Sequence, residues 1–155
     1  MQLLLSTTTA LCVAAFTIAN AQPRDLGEKV SLINLIATPE RYHGKVVFVS
    51  VYATIGLENM SLCPSNQVLT SKDCLWLDID SGPFETDQDL KRYIEREKLW
   101  KQFHRQVVSL RGTFNKENTG HFGGWSGGIE KVTEVYGEHL DIDFSSNPPL
   151  QRTRR

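Results

Sequence analysis

One run of ten residues, Val46-Val47-Phe48-Val49-Ser50-Val51-Tyr52-Ala53-Thr54-Ile55, carries no charge and is dominated by β-branched and aromatic side chains. That composition predicts a strand. Its alternation constrains the fold. Val47, Val49, Val51, Ala53 and Ile55 share one face, which must enter a core. Val46, Phe48, Ser50, Tyr52 and Thr54 share the other, half apolar, so it is either covered by another element or used.

The flanking segments supply partners for this strand. Leu32, Leu35 and Ile36 fall on one face of a short helix over 31–37, which Pro39 stops. A weaker strand covers 59–63. A clearer one covers 75–79, with Leu75, Leu77 and Ile79 inward and Trp76 and Asp78 on the reverse. Ser81-Gly82-Pro83 then breaks it. Thr86-Asp87-Gln88-Asp89 has capping-box spacing, and Leu90, Tyr93, Ile94, Trp100 and Phe103 follow at helical intervals. Residues 107–114 form a strand with Val108, Leu110 and Phe114 on one face. Residues 120–128 are a glycine-rich connection. In the last strand, 129–136, Ile129, Val132 and Val135 recur every three residues, which calls for a bulge or a helical turn.

The expected order is helix, three strands, helix, two strands. This predicts a mainly β chain: a five-stranded OB-like barrel with a helix between strands three and four and a short N-terminal helix. The motifs Leu35-Ile36-x-x-Pro39-x-x-Tyr42-x-Gly44-Lys45-x-Val47, Trp76-Leu77-Asp78, Gly112-Thr113-Phe114 and Gly120-His121-x-Gly123-x-x-Ser126-Gly127-x-Ile129 resemble those of a group of small exported bacterial OB-like proteins. The resemblance covers 30–135. It implies the barrel and export but no reaction, and it transfers no catalytic residue.

The first 21 residues have no charged side chain, hold an apolar stretch over 11–18, and end in Ala19-Asn20-Ala21. This reads as an export signal cut between Ala21 and Gln22, too short to span a membrane in the mature chain. The expected organisation is a signal peptide (1–21), one OB-like domain (22–140) and a flexible tail (141–155), placed in the periplasm or secreted. Cys12 leaves with the signal. Cys63 and Cys74 remain as a pair in an oxidising compartment, eleven positions apart across a polar loop. A disulfide there restrains the unfolded chain by about 2–3 kcal/mol.

Seventeen basic and eighteen acidic residues leave a net charge of −1, so no uniform field draws the chain to polyanions. Lys45 and Arg111 do not make the basic stripe that nucleic acid needs. His43, His104, His121 and His139 have no ligand spacing with each other or with cysteine. Asp78, Asp80 and Glu85 lack the pattern of a calcium loop. No cofactor or metal is expected. Gly124-Trp125-Ser126-Gly127-Gly128 satisfies G-x-S-x-G, but the length and element order do not suit a nucleophile elbow on a parallel sheet. A serine hydrolase using Ser126, with His121 or His139 as base, is the remote alternative.

The candidate ligand residues are Phe48, Tyr52 and Trp76, aromatic groups on the second face of strands one and three. The expected function is non-catalytic binding of a small polar ligand or an unidentified protein, or an envelope-accessory role. The alternative is a structural subunit of an envelope assembly. The competing account of the aromatic face is that the N-terminal helix or the tail covers it.

Overall fold

The computed structural model describes residues 25–56, 59–67, 70–79 and 85–154. The signal peptide, its cleavage site at Ala21 and Gln22, Cys12, Asp80 and the 81–83 break lie outside the described residues.

A closed five-stranded barrel forms the core of the molecule. Its strands are β2 (Val46–Ile55), β3 (Met60–Cys63), β4 (Leu75–Leu77), β5 (Gln106–Asn115) and β6 (Gly128–Tyr136). β2 pairs antiparallel with β3, β3 with β4, β5 with β6, and β5 with β2, while β4 and β6 run parallel. β1 (Glu28–Lys29) lies parallel to the start of β2, on the edge that β3 takes further along. The long strand buries Val47, Val49, Val51, Ala53 and Ile55, the face its alternation selects.

The helices follow from local signals. Ser31 caps α1 (Leu32–Ala37) by accepting the Asn34 N–H at 3.2 Å. Pro39 ends α1 and opens a further turn, α2 (Pro39–Tyr42), where its missing N–H costs nothing. The expected capping box forms at α3 (Asp87–Lys101): the Thr86 hydroxyl donates to the Asp89 carboxylate at 2.7 Å and accepts the Asp89 N–H. The same carboxylate is held below its usual range by the Thr86 hydroxyl and the Arg92 guanidinium. α3 packs on the core through Tyr93, Leu99 and Trp100. Trp100 and Phe103 are buried, whereas Leu90 and Ile94, which follow the same helical spacing, are exposed.

The three-residue recurrence in β6 is a bulge. Lys131 takes φ +50°, the pairing with β5 shifts between Arg111 and Thr113, and Ile129, Val132 and Val135 all reach the core. Opposite it, Gly112 permits the closest approach of β5 and β6: a Cβ there would stand 2.7 Å from Ile129 Cγ2.

The segment expected as a flexible tail (141–155) joins the sheet through its described residues. β7 (Leu140–Asp143) pairs with the second half of β6, and β8 (Leu150–Thr153) pairs with β7. Between them Phe144 is buried, stacked on Trp100 at 5.4 Å with the Arg96 guanidinium on its ring. This aromatic packing holds a segment expected to be flexible.

Candidate functional site

The outer face of the barrel starts from the disulfide. Cys63 at the end of β3 and Cys74 just before β4 are bonded. The bridge closes the 64–73 loop, whose last turn, Ser71–Asp73, lies on the glycine-rich connection. Side-chain to backbone bonds fasten the two. The Ser71 hydroxyl donates to the Gly124 carbonyl at 2.7 Å, and Lys72 Nζ donates to the carbonyls of Gly123 at 2.7 Å and Trp125 at 3.3 Å. In return the Ser126 hydroxyl donates to the Lys72 carbonyl at 2.7 Å, and the Ser126 N–H bonds the Cys74 carbonyl. Ser126 is therefore a latch. Its proton is committed to a carbonyl, and His121 lies against an indole instead.

This latch sets an aromatic group in place. Trp125 is buried, donating its Nε1–H to the Ser61 hydroxyl at 2.9 Å, and its ring meets that of Trp76 at 4.7 Å. Gly120 passes between the two indoles. A Cβ there would lie 2.7 Å from Trp125 and 2.8 Å from Trp76, and its φ of +65° with ψ −163° suits glycine alone. The chain then emerges as His121, whose ring stands edge-on to Trp76 at 5.0 Å, and Phe122. Phe122 is fully exposed and holds φ +57°, a left-handed backbone that bulky side chains avoid.

The three sequence-predicted residues do not meet. Ser61 pairs with both Thr54 and Trp76, so Trp76 sits at the Thr54 end of β2. Phe48 lies six residues back along that strand, about 20 Å at the usual rise. Tyr52 falls between, opposite Cys63 on one side and Val107 on the other. All three are half-buried, and Ser50, between Phe48 and Tyr52, is open to solvent.

Phe48 joins a different set. Its ring meets Tyr136 at 6.0 Å, and the Arg111 guanidinium lies over it. Arg111 pairs with Glu134, a nearly buried carboxylate that also accepts the Tyr136 hydroxyl at 2.6 Å. That hydrogen bond, with partial burial, raises the Tyr136 phenol above its ordinary value.

Of the histidines, His43 Nδ1 accepts the Lys116 N–H at 3.3 Å and His104 Nδ1 accepts the Ile55 N–H at 3.1 Å. Asp78 accepts from the Asn118 amide at 2.9 Å. Among the described residues no group of three His, Cys, Asp or Glu is placed to hold a metal. No helix among them is long and apolar enough to cross a membrane.

Sequence reasoning missed Phe122 and Trp125. The signal for Phe122 was an aromatic residue set between His121 and a glycine pair, a place where nothing local can cover it. Against this geometry, no protein-family model, curated protein or solved structure matches the chain.

Proposed function

We propose that the chain is an exported, non-catalytic binding protein of OB type, and that it grips a protein partner with the surface made by Trp76, His121 and Phe122. Three features support the OB reading. The barrel order is first, second, third, fifth and fourth strand, the third and fifth are parallel, and α3 lies between the third and fourth. Export rests on the uncharged leader and agrees with the disulfide.

The observation that carries the binding reading is Phe122. A left-handed backbone at a bulky residue costs about 1–2 kcal/mol, and full exposure of the phenyl ring returns nothing for it in the free protein. The ring nevertheless stands in solvent, next in the chain to His121, whose own ring meets Trp76. Strain kept at an exposed aromatic residue on a pinned loop is typical of a contact surface.

The test compares capture from the native envelope fraction by the wild type, Phe122→Ser, and Leu90→Ser, an exposed apolar control on α3. A partner retained by the wild type and Leu90→Ser and lost by Phe122→Ser, at unchanged melting temperature, supports the reading. Phe122→Gly is expected to lose the same partner while gaining about 1 kcal/mol of stability. If no captured protein depends on Phe122, the surface is not the working one.

A further inference from the structure

A second, separate site lies on the outer face of β2, β5 and β6. Pairing registers define it. Ser50 opposes Ser109, which opposes Tyr136; one row along, Phe48 opposes Arg111, which opposes Glu134; one row the other way, Tyr52 opposes Val107. Ser109 thus sits among large residues, and the surface beside it sinks into a hollow of about 500 Å³. That volume is in the range of small-ligand sites, about 300–1,000 Å³. Ser109 lines it, and its hydroxyl meets that of Ser50 at 2.7 Å, where one proton serves the pair and the other is free to donate. Phe48, Tyr136 and the two-thirds exposed Val107 form apolar walls.

The rim is polar, and both of its guanidiniums are paired. Arg111 is tied twice, through Nε to the Leu26 carbonyl at 3.0 Å and through Nη1 to Glu134. Arg154 is tied through Nε to Asp141 at 2.8 Å, with its guanidinium over the Tyr136 ring. Each guanidinium has N–H groups beyond those these bonds use. Behind each stands a carboxylate, and Glu138 adds an acceptor at the mouth. An anion entering here gains little, because Arg111 and Arg154 are already paired and Glu138 repels it. A neutral molecule with alternating hydroxyls and C–H faces gains at every wall: guanidinium forks for adjacent hydroxyls, Glu138 and the serines for others, and apolar contact for the ring.

We propose that this hollow binds a neutral saccharide ring. It lies far along β2 from Trp76 and does not depend on the Phe122 surface.

The experiment titrates the mature protein with methyl glucoside, methyl galactoside and methyl mannoside at millimolar concentration and follows backbone amide shifts. At least one glycoside is expected to move Ser50, Val107, Ser109 and Gly137 in a saturable way. Ser109→Leu, which fills the hollow from an outward-facing position, is expected to weaken it at least tenfold, as is Arg154→Gln. Phe122→Ser should leave it unchanged. Amide spectra and melting temperature confirm that each variant is folded. The proposal is overturned if none of the glycosides moves these amides, if Ser109→Leu binds like the wild type, or if sodium benzoate or inorganic phosphate moves them more than any glycoside.

Discussion

Gly120→Ala tests whether the indole pair is wedged open by the backbone between its rings. Two costs add. At φ +65° and ψ −163° the position is in a region that only glycine populates freely, and a side chain there costs about 1–3 kcal/mol. The new methyl would stand 2.7 Å from Trp125 Cε3 and 2.8 Å from Trp76 Cδ2. Both rings are fixed, Trp125 by its bond to Ser61 and Trp76 by its place in β4, so relief requires overpacking of about 1–3 kcal/mol. The expected destabilisation is therefore about 2–6 kcal/mol. Gly123→Ala is the internal control: it also has a positive φ, +67°, but its Cβ would meet nothing nearer than Thr119 Oγ1 at 3.7 Å. It should cost about 1–2 kcal/mol. Urea unfolding followed by tryptophan fluorescence measures both, and a blue or red shift of the native spectrum should accompany Gly120→Ala only. If Gly120→Ala costs no more than Gly123→Ala, the wedge reasoning is wrong.

Replacing both Cys63 and Cys74 with Ala should lower stability by about 3 kcal/mol from loop closure and leave the chain folded; circular dichroism melting checks both parts. Ser126→Ala should cost about 0.5–1.5 kcal/mol, the worth of its bond to the Lys72 carbonyl, measured by urea unfolding; a larger loss would show a deeper role than the latch. Tyr136 titrates above its ordinary value of 10.0, so folding favours the neutral phenol. Its contribution is complete below that value and declines as pH rises through the raised folded value. Denaturation from pH 8 to about 12 should show a fall in the wild type that is smaller in Tyr136→Phe; equal falls would remove Tyr136 as the cause.

Much of the barrel was legible because its signals are local. Alternation in β2 and β5, the capping box at Thr86 and the every-third recurrence in β6 each depend on residues within a few positions. The C-terminal segment was not legible for a converse reason. Asn147-Pro148-Pro149 reads as a break, and it is one, but the strands on either side are held by Phe144 packing on Trp100, more than forty positions earlier in the chain. The exposed start of α3 follows the same logic. Helical spacing of Leu90 and Ile94 shows that they share a face, not that anything faces them.

For the outer surface, parity was legible and register was not. Alternation correctly sends Phe48, Tyr52 and Trp76 outward, since each is followed and preceded by a core residue. Which outward residues become neighbours depends on how β3 slides against β2 and β4, and the disulfide and closure of the barrel constrain that offset together. Sliding the β2–β3 pairing by two residues would keep every core side chain inward. It would carry Trp76 about 7 Å along β2. Hydrophobic patterning cannot distinguish those two registers. The bond from Trp125 to Ser61 can, because in the observed register Ser61 lies beside Trp76 and within reach of the indole that the latch delivers. Ser61→Ala, by leaving a buried indole N–H without its partner, tests that choice at about 1–3 kcal/mol.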